Sequence, residues 1–386
     1  MGALATDTSG ERRILIVAGE PSGDLHASKL VAALRALGPC DVRGVAGPAL
    51  RACGVQAVVR MEEIAVLGFA EVLGALPRIL RARARLLEEV RRFRPHVACL
   101  VDFPGFNFRI APALKREGVR VFYYIAPQVW AWHAERAGHM AAWTDRLAVV
   151  FPFEEELFRR AGVPVTFVGH PLMDELAPEV GRDEFLAEIR HAGGPLLALL
   201  PGSRRQEIER HLPTMLAAAR VLQAECSELT VVVPVAPGLD PRSLRAMAAA
   251  AGIDARVVEG RTRAVQAFST AAAVASGTAT LETALFATPL VVVYKISRLS
   301  FWLARRLVTL RRIGLPNIVA GTDVAPELIQ EAFTAGALAA ALRPLLTNPT
   351  ARSEAARGLA IVRERLGEPG ASERAAQLLW ALAGAA

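Results

Sequence analysis

The residues best placed to do chemistry lie in Ser276-Gly277-Thr278-Ala279-Thr280-Leu281-Glu282, where the small apolar run Ala271 to Ala275 hands over to a helical Leu281/Ala284/Leu285 spacing. A helix N-terminus offers unpaired N–H groups and roughly +0.5 charge, which suits a phosphate. Glu282 follows about a turn later, where a carboxylate can accept both hydroxyls of a ribose; the competing reading is a first-turn acid favoured by the helix dipole. A second such turn, Pro201-Gly202-Ser203-Arg204, follows the apolar run Leu196 to Leu200 and adds guanidinium groups that bind phosphate in a bidentate way. Neither turn is a P-loop, and no Gly-x-Gly-x-x-Gly opens the chain, which argues against an NTPase and a plain NAD enzyme.

Two acidic turns stand in the first half. Gly19-Glu20-Pro21-Ser22-Gly23-Asp24 follows the strand-like Ile14 to Ala18, and Asp102-Phe103-Pro104-Gly105-Phe106-Asn107 follows Val97 to Val101. Asp102 can act as a general base or as a cap before the next helix, and Glu20 or His26 can serve as the base instead. The stretch Tyr123 to His133 is dense in aromatics in a chain only 6% aromatic, fitting a sugar or acyl wall or plain core packing. No His/Cys cluster or Asp-x-Asp with metal spacing occurs, so no metal and no cofactor are expected.

The elements that must position these residues alternate. Strand-like runs and amphipathic helices follow one another through the first half, break near Gly169 to Gly194, and resume with Leu196 to Leu200, Thr230 to Pro234, Ala255 to Val258, Ala271 to Ala275 and Leu290 to Tyr294. This rhythm predicts an α/β fold of two Rossmann-like domains with parallel sheets, 1–170 and 195–349, a linker at 171–194, and C-terminal helices at 350–386. Those last helices cross back onto the first domain or onto a partner subunit, which leaves a homodimer open. The 386 residues, 53% hydrophobic, suffice for two cores. The net charge of +7 is modest and clustered in arginines, pointing to acidic partners and not to nucleic acid. The four scattered cysteines, with no Cys-x-x-Cys and no apolar leader before Ile14, read as a reducing, cytoplasmic setting.

One segment complicates that setting. Ile64 to Pro77 is apolar nearly all round a helix, through Val66, Leu67, Phe69, Val72, Leu73 and Leu76, yet is shorter than the ~20 residues that span a bilayer. Arginines 78, 81, 83, 85, 91, 92 and 94 follow at once, the pairing that seats a segment on anionic lipid; a buried helix followed by a basic one is the alternative. Phe301 to Arg312 repeats the pattern.

In sequence order, the Gly19–Asp24 and Asp102–Asn107 turns, Pro127-Gln128-Val129-Trp130-Ala131-Trp132, Val168-Gly169-His170-Pro171-Leu172, Leu200–Arg204, Ser276–Glu282 and Leu315-Pro316-Asn317 closely resemble the lipid-A-disaccharide synthase family. The resemblance runs from about Ile14 to about Leu345 and departs from the family at Ala126-Pro127-Gln128, where a more serine-rich loop is expected. It implies a glycosyltransferase of the two-domain B-type (GT-B) fold with its active site in the interdomain cleft. The implied reaction is metal-free: UDP-2,3-diacylglucosamine and 2,3-diacylglucosamine 1-phosphate give a β-1,6-linked disaccharide and UDP, at the inner membrane of Gram-negative bacteria. By resemblance Arg204, Glu282 and Asn317 contact UDP, Gly202 and Ser203 belong to the donor site, the turn Ser276, Gly277, Thr278 and Thr280 lies near the diphosphate, and Asp102 deprotonates the acceptor's 6-hydroxyl. Two rivals remain at this point: another UDP-N-acetylhexosamine enzyme of the same architecture, an epimerase or the peptidoglycan lipid-intermediate transferase, and a non-catalytic membrane protein keeping a nucleotide site.

Overall fold

The computed structural model describes residues 11–64, 69–127, 135–297 and 311–384. The chain divides into two compact α/β units, Met1–Asp174 with Glu368–Ala386, and Glu175–Gly367.

In the first unit, β1 (Arg12–Ala18), β2 (Cys40–Ala46), β3 (Gln56–Arg60), β4 (Val97–Val101), β5 (Arg120–Tyr124), β6 (Arg146–Val149) and β7 (Val165–Phe167) form one sheet in the order β3-β2-β1-β4-β5-β6-β7. All neighbours run parallel; Ile14 of β1 lies opposite Val42 of β2 on one side and Val97 of β4 on the other. The central strands are apolar without alternation because helices cover both faces, and every residue of β4 is buried. Sequence order reverses between β1 and β4, so the loops at their carboxyl ends flank a crevice where open α/β sheets bind ligands. Those loops carry Glu20 and Asp102.

In the second unit, β8 (Leu196–Leu200), β9 (Thr230–Val235), β10 (Ala255–Glu259), β11 (Ala271–Ala275), β12 (Leu290–Tyr294) and β13 (Glu327–Ile329) are ordered β10-β9-β8-β11-β12-β13. The reversal here lies between β8 and β11, and the loops beyond them are Pro201–Arg204 and Ser276–Gly277. The same strand-end logic thus operates once in each unit.

Within residues 171–194, expected as a linker, the 3₁₀ turn Pro171–Asp174 belongs to the first unit and the helix Arg182–Glu188 to the second, with Phe185 fully buried. Proline, glycine and charge in this stretch mask a single anchoring aromatic. The C-terminal helices part company. Pro349–Leu366 packs on the helices Leu315–Ala320 and Thr278–Leu285, whereas Ala371–Gly384 packs on the helix Pro21–Leu37 and on β1, β4, β5 and β6, with the Arg12 guanidinium 3.8 Å over the Trp380 ring.

Among the described residues no helix is long and apolar enough to cross a membrane. Of the expected lipid-facing patch, Val66 and Leu67 lie outside the described residues, and for Phe69, Val72 and Leu73 only the helix Phe69–Phe93 that carries them is described. Leu76 is 45% exposed and Leu80, one turn on, 53%. Ile64, at the start of the segment, is instead buried in the first unit's core, as are Ala82, Leu86, Val90 and Phe93 on the inward stripe of the same helix. Most of the second basic-apolar stretch, 301–310, lies outside the described residues.

Candidate functional site

In the first unit the turn after β4 is held in an unusual backbone. Asp102 and Phe103 have φ of 42° and 47°, the left-handed region that costs a non-glycine residue about 1–3 kcal/mol. Hydrogen bonds hold them there. The Asp102 carbonyl accepts from Asn107 Nδ2 at 2.6 Å and from the Tyr123 hydroxyl at 2.6 Å, and the Asp102 N–H donates to the Tyr124 carbonyl at 3.1 Å. Phe103 lies over the β1 turn, where a Cβ on Gly19 would overlap its ring. Glycine at 19 is what lets the two loops meet.

Burial pushes the Asp102 carboxyl up to about 7, helped by the neighbouring negative charge of Glu20. A carboxylate tuned to that range is a competent general base near neutral pH. His26, the alternative, is pushed down to about 4 by burial and by Lys29 against the pull of Asp174, and so is a weak base. His170 is held lower still, at about 3, by burial and the adjacent His26; its Nδ1 accepts from the Leu172 N–H at 3.2 Å. Asp24 is structural: its carboxylate accepts from the N–H groups of Gly47, Ala49 and Leu50, closing the start of the helix Pro48–Ala52. Of the aromatic stretch, Tyr123 and Tyr124 are fully buried core residues, and 128–134 lie outside the described residues.

In the second unit the helix Thr278–Leu285 begins without a side-chain cap, after Gly277 at φ 153°, and a Cβ built on Gly277 meets nothing within 4 Å. Among the described residues nothing fills the space beside Gly277, and Gly277 and Thr278 are exposed. Thr280 is buried and gives its hydroxyl to the Gly277 carbonyl at 2.7 Å, so it shapes the turn; Ser276 likewise donates to the Ile313 carbonyl at 2.9 Å. Burial raises the Glu282 carboxyl above its ordinary range, opposed by the Gln266 amide, whose Nε2 donates to Glu282 Oε2 at 3.2 Å.

The turn after β8 is organised by Glu207. Gly202 sits at φ 119°, and Glu207 Oε2 accepts from the N–H groups of Ser203 at 3.0 Å and Arg204 at 3.2 Å. Those amides are therefore occupied within the turn, and what this loop offers a ligand is the Arg204 guanidinium, 77% exposed and paired with Glu207 at 3.3 Å. Asn317, expected at the nucleotide, is buried at 1% exposure with its amide hydrogen-bonded within the second unit. Its Nδ2 donates to the Ala325 carbonyl and Glu327 Oε1, and its Oδ1 accepts from Val324 and Ala325. It organises the loop leading into β13.

Two residues here carry no motif. His211 joins the Pro201 carbonyl, through Nδ1 at 2.8 Å, to the Lys295 N–H, through Nε2 at 3.0 Å, tying the β8 turn to the end of β12. Gln266, fully buried, links Glu282 to the Ala279 carbonyl at 3.2 Å. The readable signal is a lone polar residue on an apolar helix face: His211 stands among Ile208, Leu212 and Met215.

Carboxylates at one sheet's switch point and an anion-ready helix start at another's are the parts of a nucleotide-sugar enzyme. A family model described as lipid-A-disaccharide synthetase matches residues 14–381. The chain belongs to the lipid-A-disaccharide synthase family. It is 41% identical to a lipid-A-disaccharide synthase of Geobacter sulfurreducens over 374 residues, 96% of this chain and 97% of that one. With the enzyme of Syntrophus aciditrophicus it shares 44% over 369 residues, covering 94% and 96%. Membership makes the chain a glycosyltransferase that forms the lipid A disaccharide. Solved structures share its GT-B fold at low identity. A putative UDP-N-acetylglucosamine 2-epimerase from Listeria monocytogenes superposes with a TM-score of 0.65 at 14% identity, covering 96% of this chain and 95% of that one. Acinetobacter baumannii MurG gives 0.60 at 15%, covering 96% and 99%. These neighbours share the architecture only, so the epimerase and lipid-intermediate rivals survive as relatives in fold and not as the activity of this chain.

Proposed function

We propose that the chain transfers 2,3-diacylglucosamine from its UDP donor to the 6-hydroxyl of 2,3-diacylglucosamine 1-phosphate, with Asp102 as general base. The observation that carries this reading is the Asp102 carboxyl at the β1/β4 switch point, raised to about 7 beside Glu20. Deprotonated, it takes the proton of the attacking hydroxyl; the hydroxyl oxygen bonds to the anomeric carbon as the bond to UDP breaks on the opposite face. One displacement inverts that centre and gives the β-linkage. The neighbouring negative charge of exposed Glu20 keeps the Asp102 proton affinity high.

In this proposal the second unit holds the donor. The Glu282 carboxylate takes the ribose hydroxyls, and the helix start at Gly277–Thr278 faces the diphosphate. Arg204 neutralises charge on the leaving UDP, a stabilisation that costs no reorganisation when the group is already in place. The Leu76/Leu80 stripe and the arginines that follow seat the first unit on the anionic surface of the inner membrane, where the acylated substrates reside.

The deciding experiment is product formation from purified protein with both substrates, for the parent and for Asp102→Asn. A base contributes ~10²–10⁴ in turnover, so the variant should fall by that factor with UDP binding unchanged. Retention of most turnover would remove Asp102 from the role and bring Glu20 forward.

A further inference from the structure

We propose that Tyr123 and Asn107 are positioning residues for the reaction, clamping the Asp102 main-chain carbonyl so that the carboxyl leaves the backbone in one direction. The inference rests on the reading of Asp102 as base. Its ground is conformational. The chain turns sharply after β4, and the usual residue for a positive φ is glycine, which has no carboxyl to offer. A base at this point must be a side-chain-bearing residue in the left-handed region, and such a residue relaxes unless its surroundings hold it.

The holding groups are two. Tyr123 Oη, from β5, and Asn107 Nδ2, from the first turns of the helix Pro104–Arg116, both donate to Asp102 O at 2.6 Å. Both residues are fully buried, so water does not compete for that carbonyl. With this peptide plane fixed, and the preceding one held by the Asp102 N–H donating to the Tyr124 carbonyl at 3.1 Å, the Cα–Cβ direction of Asp102 is fixed as well. The Tyr123 ring has a separate structural role, its centroid 6.0 Å from that of Trp143, which a phenylalanine preserves. The hydroxyl alone can therefore be removed. Titratable groups facing the Asp102 carboxyl are Glu20, from the turn after β1, and the Tyr123 phenol, which burial keeps protonated.

The test is a cycle of Tyr123→Phe and Asp102→Asn, read by turnover, KM, pH profile and UDP affinity. Tyr123→Phe should lower kcat by ~10–100-fold, the scale of a misplaced reacting group, with KM and UDP affinity within twofold. The acid limb of its pH profile should move to lower pH, because a carboxyl released toward solvent returns toward the ordinary range. In the Asp102→Asn background the same substitution should cost nothing further, since the group it positions is gone. An equal loss in both backgrounds, or a kcat within twofold of the parent, overturns the inference while leaving Asp102 as base. An active Asp102→Asn overturns the base reading and this inference together. Should Tyr123→Phe melt far below the parent, Asn107→Ser decides by the same cycle: a kcat loss confined to the Asp102 background supports the clamp, and an equal loss in both refutes it.

Discussion

The turn after β4 and the turn after β11 stand at equivalent places, each at the carboxyl end of a strand beside its sheet's switch point, and they are built in opposite ways. The Asp102–Phe103 turn forces two side-chain-bearing residues into the left-handed region and holds them with buried donors. The Ser276–Thr278 turn gives its positive φ to Gly277 and, among the described residues, leaves the space beside it open at a helix start. The contrast follows from what each must present. A base needs a side chain at a fixed angle and a raised proton affinity, so strain and burial are concentrated there; an anion cradle needs only backbone N–H groups, and a glycine supplies those without strain.

The largest test of that contrast is on stability against pH. The Asp102 carboxyl has its folded-state affinity raised to about 7, so it binds a proton more tightly folded than unfolded. Its contribution to stability is present below the ordinary carboxylate range and is lost as pH rises through about 7. Asp102→Asn, which removes that charge, should raise the melting temperature at pH 8 and leave it nearly unchanged at pH 4, while activity of the parent climbs with pH through about 7 as the base ionises. A variant that melts lower at pH 8 would mean that the carboxylate is a structural partner and not a strained catalytic group. Gly277→Ala should behave differently: any destabilisation is strain from the φ of 153°, with no pH dependence.

How much of this was legible in the sequence depends on what each residue faces. The central strands were readable as apolar runs, and β4, β8, β11 and β12 fall where the pattern put them, because burial on both faces leaves no polar positions. β2, paired on both sides but interrupted by Asp41, Arg43 and Gly44, and the short edge strands β3, β7 and β13 were not, since their polar residues or shortness break the apolar run. At the sites, Glu20, Asp102, Arg204 and Glu282 stood out as charged groups at strand ends. The residues that hold them did not: Tyr123, Asn107, Gln266 and His211 act through one or a few hydrogen bonds whose partners lie 5 to 84 positions away. Asn317 stood out as a motif position, whereas its hydrogen bonds to the loop leading into β13 were not readable from the motif.

A middle-sized effect separates that loop role from ligand contact. Asn317→Ala takes from the Glu327 carboxylate one of its three donors among the described residues and removes the partner of three backbone groups, so a loss of about 1–3 kcal/mol of stability is expected, measured by denaturant titration. Were Asn317 instead a nucleotide contact, UDP affinity would fall and stability would hold. Arg204→Ala should do the opposite: its guanidinium is exposed and, among the described residues, paired within the turn with Glu207, so melting is unchanged, and UDP binding weakens by at least ~1.5 kcal/mol, about tenfold, in isothermal titration. Glu282→Ala should weaken UDP likewise, and EDTA should leave both binding and turnover intact; activity lost to chelation and restored by magnesium would refute an arginine-and-dipole stabilisation of the leaving group.

The smallest expected effect concerns the helix Phe69–Phe93, where one short stretch contains both an inward and an outward apolar stripe. Leu76 and Leu80 are about half exposed, whereas Ile64, just ahead, is sealed in the core. If the outward stripe meets lipid, each leucine contributes about 1 kcal/mol, less than the value for full burial because part of each side chain already rests on protein. Leu76→Ser and Leu80→Ser should therefore each lower cosedimentation with anionic vesicles by roughly fivefold, with melting unchanged and with the remaining attraction, carried by the arginines, weakened by added salt. Ile64→Ser is the control with the opposite signature, a clear drop in melting temperature from a polar group placed in the core. Serine at 76 or 80 that costs as much stability as serine at 64, with vesicle binding intact, would make the whole helix ordinary core and place the membrane contact elsewhere on the molecule.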